Sequence, residues 1–167
     1  MSQHTARIVW KSQGGEFIKG KYSREHRWYF DGGVEVPASP TPAVVPVPYS
    51  NPACVDPEEA FVASIASCHM LTLLFVAQKA GLEVLEYDDS AVGTMTKNEN
   101  GIPWVSSVLL SPRIAWSPGA EPTADRLSEL HHKAHELCFI ANSVKTSITV
   151  APTVSALQPA STSSTSS

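Results

Sequence analysis

Cysteine is scarce in this sequence, and an odd set of three in 167 residues cannot form the framework of a small disulfide-stapled domain. Positive charge is scarce as well. Twelve Lys and Arg stand against 16 Asp and Glu for a net charge of −4, without the basic footprint that nucleic acids or anionic membranes attract. No CxxC pair and no HExxH element is present, and no repeat appears at solenoid periods. The opening MSQHTARIVW lacks the apolar run of an export signal, so the expected location is the cytoplasm, where free thiols are available for redox or catalytic work.

Charge is missing altogether from Ala60 to Ala77, a stretch of 18 residues that reaches the lower edge of a membrane-spanning length. Ser64, Ser67, Cys68, His69 and Thr72 interrupt it, and no cluster of Lys or Arg flanks one side as an orientation signal. The expectation is a helix buried inside a soluble core, with no membrane partner.

What is present suffices for a core: 43% of residues are hydrophobic and 17% charged, which argues for one globular domain over residues 1–151. Residues 152–167 are rich in Ser and Thr and nearly uncharged, with too little apolar surface to offset their ordering entropy, and a disordered tail is expected there. Extended segments are expected at Ala6 to Trp10, Lys21 to Phe30 and Val34 to Val36, the last two joined through Asp31-Gly32-Gly33. Seven prolines between Pro37 and Pro57 forbid regular structure; this connector carries Val44, Val45, Val47 and Tyr49, apolar enough to be buried. Asp56-Pro57-Glu58-Glu59 reads as a capped helix start, and Gly81 as its stop, so a helix is expected to about Ala80. Two extended segments, Glu83 to Lys97 and Trp104 to Trp116, meet through Asn98-Glu99-Asn100-Gly101 and should pair antiparallel, with Pro112 marking an edge or bulge. A second helix from about Pro122 to Leu137 shows one apolar stripe at Leu127, Leu130, Ala134 and Leu137, and a last strand is expected from Ser143 to Val150.

Chemistry can reside at Cys68, inside the first helix, and at Cys138, at the end of the second. Each has an imidazole nearby, His69 beside Cys68 and His135 three residues before Cys138, and a neighbouring imidazole can favour the reactive thiolate. Three readings follow. His131, His135 and Cys138 fall on one helical face and could supply three zinc ligands, without an evident fourth. A Cys-His hydrolase would need a base aimed at the thiol, yet neighbours on a helix diverge by about 100°. Thiol redox chemistry with a peroxide needs an attacking cysteine, a resolving cysteine and a cation. Strand alternation puts Arg24 on the face of Trp28 and Phe30, towards a core where an arginine needs an anionic partner such as a thiolate or Glu58, while Arg27 points the other way.

The segments YSREHRWYFDGG, VDPEEAFVASIASCHM and HHKAHELCFIANSVKTSI together resemble the OsmC/Ohr family of small peroxide-reducing proteins, from about Arg7 to Val150. The resemblance implies an α+β fold, with antiparallel sheets packed around two central helices in an intertwined homodimer whose active sites lie at the subunit interface. It also implies thiol-dependent reduction of organic hydroperoxides, with no resident cofactor and an external dithiol of the lipoyl type as reductant. By motif position Cys68 would be the peroxidatic thiol, Cys138 the resolving thiol, Arg24 the activating arginine with Arg27 as the other candidate, and Glu58 the acid that holds it.

Ten residues of straight helix put Glu58 about 15 Å from Cys68. Arg24 would therefore have to bridge the two, the helix would have to begin later, or the contact would have to cross the dimer. The sequence departs from better-known branches of the family at His69, where an aromatic is common, at Phe139, where proline is frequent, and before Arg24, where two glycines are often found. The substrate pocket is expected to be walled by Phe61, Ile65 and Leu71, and Cys54 in the connector has no assigned role.

Overall fold

The computed structural model describes residues 1–151; the expected tail at 152–167 lies outside the described residues. Among the described residues the architecture is α+β, two α-helices with several antiparallel strand pairs, and the chain forms two compact units, Met1–Phe61 and a second that begins at Val62.

The first unit is built on a three-stranded antiparallel sheet in the order β1 (Ala6–Val9), β2 (His26–Phe30), β3 (Glu35–Ala38). Val9 faces Arg27 across one pair and Arg27 faces Pro37 across the other. β2 starts at His26, five residues later than the sequence suggests, because a short 3-10 turn at Phe17–Lys19 folds the preceding segment into an aromatic cluster. There Trp10, Phe17 and Tyr22 meet at ring-centroid distances of 4.5 to 5.8 Å. Arg24 consequently precedes the strand, and period-two alternation does not govern its direction. The proline-rich connector is pinned at both ends: the Ser39 amide donates to Val55 O at 3.1 Å, and the Val55 amide to Pro37 O at 3.1 Å. Buried Ser39 accepts from the Asn51 amide at 2.8 Å. Contrary to the burial expected of the connector's valines, Val44 and Val47 are exposed in this chain. Its successive turns are closed by backbone hydrogen bonds, from the Val44 and Val45 amides to Thr41 O and from the Tyr49 amide to Pro46 O.

Helix α1 (Pro57–Lys79) begins at the capping box foreseen in the sequence. The Glu59 amide donates to Asp56 Oδ1 at 2.7 Å, and the Asp56 amide to Glu59 Oε2 at 3.1 Å. Asp56→Ala removes one acceptor from an exposed first turn, and a stability loss of about 1 kcal/mol is expected, read from a lowered midpoint in urea unfolding, with Asp56→Asn retaining most of the stability. The helix ends at Gly81, whose φ of 74° closes the last turn in the left-handed region.

In the second unit the two extended segments break into four strands: β4 (Val84–Asp89), β5 (Val92–Lys97), β6 (Pro103–Leu110) and β7 (Pro112–Trp116). β5 and β6 form the expected hairpin, turned at Gly101 with φ 75°, while β4 pairs antiparallel with β7 in a separate sheet. The breaks fall at Ser90-Ala91 and Ser111. The Ser111 amide donates to Asp89 Oδ1 at 2.7 Å, which leaves Pro112, unable to donate, at the first position of β7. Helix α2 (Ala124–Leu137) is capped by Thr123, whose hydroxyl accepts from the Arg126 amide. A 3-10 turn at Ala141–Ser143 delays the last strand, β8 (Ser147–Val150), which joins β6 in parallel, whereas the other named strands pair antiparallel.

The core joins Leu73 and Ala77 of α1, Leu130 and Ala134 of α2, and Ile114 and Trp116 of β7. The expected burial of α1 is met on one side only. Ile65, His69, Leu73 and Ala77 recur every four residues and are buried, whereas Leu71 and Phe75 are 60% and 55% exposed. The helix is apolar all round, so a single packed layer covers one stripe and leaves a second apolar face open. By length and composition alone α1 could also cross a membrane.

Candidate active site

Cys68 sits in the middle of α1, half-buried, on the side of the helix away from the core stripe. It belongs to an open, almost wholly apolar pocket of about 710 Å³, walled by Leu71 and Phe75 from α1 and by Leu137, Phe139 and Ile140 from the end of α2. Of the walls expected from sequence, Leu71 lines the pocket, whereas Ile65 is fully buried on the core stripe.

Cys138 is the residue at which α2 stops. Its φ of −69° and ψ of 117° are extended, which turns the chain out of the helix and places a fully buried side chain against α1. The Cys138 and Cys68 sulfurs are 2.8 Å apart, with the Cys138 thiol as donor; both cysteines are free, and the gap exceeds the roughly 2.05 Å of a disulfide. Burial and this hydrogen bond to Cys68 push the Cys138 thiol pKa up.

The turn after Cys138 is tightly held. Asn142 donates through its side-chain amide to the carbonyls of Glu136 and Cys138, each at 2.9 Å, and through its backbone amide to Cys138 O at 3.1 Å. Ser143 Oγ donates to Phe139 O at 2.7 Å. So fixed, the turn presents the Ile140 amide to Cys68 Sγ at 3.5 Å and the Ala141 amide to Cys138 Sγ at 3.4 Å. Two backbone donors thus aim at the two sulfurs, a feature the sequence reading missed because it sought a side-chain cation for that role.

Beside the thiols lies a second polar pair. His69 Nε2 and His131 Nδ1 are 3.0 Å apart, with the rings parallel to within 7° and centroids 5.3 Å apart. They are 1% and 7% exposed, and burial pushes both imidazoles down to about 4, the charges of His131 and His135 adding to the effect at His69. His69 therefore faces α2 instead of serving Cys68 as a base. His131 is engaged with His69, and among the described residues no group of three His, Cys, Asp or Glu side chains could hold a metal ion, so the zinc arrangement at His131, His135 and Cys138 does not form.

The remaining candidates lie in the first unit. Arg24 donates to Tyr22 O at 2.8 Å and Gly20 O at 3.2 Å, and its guanidinium covers the Tyr22 ring at 4.1 Å. Glu58 is half-buried in the first turn of α1, which excludes a later helix start, and among the described residues it forms no ion pair with Arg24. Arg27 pairs with Glu35 at 2.6 Å. Cys54 is half-buried near Arg27 and Glu25, and burial pushes its thiol up.

A family model described as OsmC-like protein matches residues 50–153. An OsmC-like protein of unknown function from Vibrio cholerae is 48% identical and superposes with a TM-score of 0.87, covering 90% of this chain and 99% of that one. An organic hydroperoxide resistance protein from Elizabethkingia anophelis is 23% identical at a TM-score of 0.67, covering 94% of this chain and 98% of its own. The organic hydroperoxide resistance protein OhrB of Bacillus subtilis is 21% identical at 0.59, covering 87% and 94%. At those identities the last two establish a shared fold. No curated protein matches the sequence. With its two cysteine motifs inside the matched region and near-complete overlap with a relative at 48% identity, the chain belongs to the OsmC-like family.

Proposed function

We propose that this protein is a thiol-dependent peroxidase that reduces organic hydroperoxides to alcohols. The observation that carries the reading is the 2.8 Å approach of Cys68 and Cys138 beside an apolar pocket. In the first step the Cys68 thiolate attacks the terminal peroxide oxygen, the O–O bond breaks, the alcohol leaves, and Cys68 becomes a sulfenic acid. In the second, the Cys138 sulfur displaces the sulfenate oxygen as water and the disulfide forms. An external dithiol then returns both thiols by exchange, a lipoyl-type dithiol being one candidate. The scheme invokes no metal, flavin or haem.

Cys68 is the half-exposed sulfur and Cys138 the buried one, which favours Cys68 as the group that meets substrate. The Ile140 amide supports it by donating where negative charge collects on sulfur. The resemblance offers Arg24 as the cation that stabilises the thiolate and the leaving alkoxide, although here its guanidinium donates to the Tyr22 and Gly20 carbonyls and not to Glu58. The names of the Elizabethkingia and Bacillus relatives support the choice of an organic hydroperoxide, and so does a pocket wall made of Leu71, Phe75 and Phe139. In the same reading a second copy of the chain covers the apolar face left open on α1, where Leu71 and Phe75 lie beside the 84%-exposed Phe139, in a cytoplasmic homodimer.

The test is a titration of reduced protein with one equivalent of cumene hydroperoxide. Two thiols should vanish together with a mass decrease of about two hydrogens, mapped to Cys68 and Cys138. Unchanged thiols would overturn the reading and leave the pocket as a binding site for an apolar ligand.

A further inference from the structure

Helices α1 and α2 meet in the second unit through three kinds of contact: the apolar packing of Leu73 and Ala77 with Leu130 and Ala134, the sulfur pair, and the imidazole pair. Apolar side chains interlock without direction and tolerate a small turn of one helix against another. A hydrogen bond between two buried planar rings does not, because its donor–acceptor distance is confined to about 2.7–3.2 Å and a ring nitrogen, lying further from the helix axis than a sulfur, moves by more than that tolerance in a small turn.

The imidazole pair is costly to keep. Only one nitrogen of each ring finds a partner, and His69 Nδ1 and His131 Nε2 are buried without one among the described residues. Two leucines would avoid that cost. The burden sits one residue from Cys68 on α1, and on α2 it shares a face with Cys138, two turns away.

We propose that the His69–His131 hydrogen bond is a positioning lock that sets the rotation of α1 against α2 and so holds Cys138 in line for disulfide closure with Cys68. The distances make the lock effective. Turning α1 by about 15° moves a sulfur some 4 Å from the helix axis by roughly 1 Å, which is comparable to the whole gap the sulfurs must close. Both rings are neutral at neutral pH, so each offers one N–H and one bare nitrogen, and a single shared proton makes the bond. His135, the other titratable group acting on His69, weighs further against a charge there. His69 and His131 act through the cysteines and touch no substrate.

Where the lock serves catalysis it rests on the peroxidase reading, but its first consequence does not: it sets the dithiol–disulfide equilibrium of Cys68 and Cys138. In dithiothreitol redox buffers at pH 7, His69→Leu/His131→Leu should lower the equilibrium constant for disulfide formation about tenfold while the fold is kept by circular dichroism. His131→Asn, whose side-chain amide reproduces the Nδ1 position, should restore it to within about threefold of native. If the double leucine variant does not fold, His131→Gln serves instead, since it carries its polar atoms one bond too far and should show the tenfold fall.

A native equilibrium constant in the folded leucine or glutamine variant would overturn the proposal, as would an asparagine variant no better than leucine. Stopped-flow oxidation with cumene hydroperoxide then separates the steps. Sulfenylation of Cys68 in a Cys138→Ser background should keep its native rate on adding the histidine changes, while closure in the two-cysteine protein slows about tenfold. Failure of Cys68 to react with the hydroperoxide at all would sink the peroxidase reading and leave the redox-buffer result to judge the lock.

Discussion

Cys68→Ser is expected to lower hydroperoxide reduction by at least about three orders of magnitude, to the background of the uncatalysed reaction. A serine hydroxyl has no sulfur to oxidise, so no sulfenate can form and the apolar pocket binds substrate to no effect. Cys138→Ser separates the two steps. Its Cys68 should be oxidised once per chain, releasing one equivalent of alcohol, and then stall as the sulfenate, which a dimedone-type probe would trap and intact mass would report. The donors at Ile140 and Ala141 are backbone groups and survive both substitutions, so a loss at Cys68 cannot be ascribed to them. Full turnover by Cys68→Ser would reject the assignment of the attacking sulfur. Sustained turnover by Cys138→Ser with only a thiol reductant would show that the external dithiol reaches Cys68 directly and that Cys138 does not resolve it.

Much of this arrangement can be read from the residues because it depends on local chemistry. The capping box at Asp56 and Glu59, the stop at Gly81 and the Asn98–Gly101 turn each follow from one or two side chains acting on nearby backbone, and each is found where expected. The approach of Cys68 to Cys138 was suggested by family resemblance and by two helical motifs, with no spacing rule behind it. The features that sequence did not disclose are those fixed by long-range geometry. The parallel pairing of β8 with β6 depends on where the chain goes after a 3-10 turn, and the amides of Ile140 and Ala141 carry no residue signature because any non-proline residue would supply them.

His69 was within reach of a sequence argument. It lies four residues before Leu73 and eight before Ala77, on the buried stripe, and His131 adjoins Leu130 on the apolar side of α2. Two histidines on the facing stripes of packed helices need polar partners, and each is the nearest available to the other. Reading His131 with His135 and Cys138 as metal ligands considered α2 by itself, whereas the partner of His131 comes from the other helix. Arg24 shows the opposite case: the alternation that turned it towards a core presumed a strand beginning at Lys21, and the aromatic cluster of Trp10, Phe17 and Tyr22 holds that segment out of the sheet.

The same histidines make the protein acid-sensitive in a window above the carboxylate range. Each folded imidazole titrates at about 4, against 6.5 for a free one, so between those values the unfolded chain binds protons that the folded chain refuses. Stability from this source is complete above pH 6.5 and is lost as the pH falls towards 4, by on the order of 3 kcal/mol for one imidazole. Asp89 acts in the opposite sense, because burial raises its carboxyl and its folded form gains protons more readily than the unfolded chain as the pH drops. Urea midpoints measured at pH 7.5, 6, 5 and 4.5 should therefore fall progressively in the native chain. In His69→Leu/His131→Leu the fall between pH 6.5 and 5 should largely disappear, since the two groups that resist protonation are gone while the carboxylates are unchanged. An undiminished fall in that variant would assign the acid sensitivity to other groups and would mean that the buried imidazoles accept protons near their ordinary pKa.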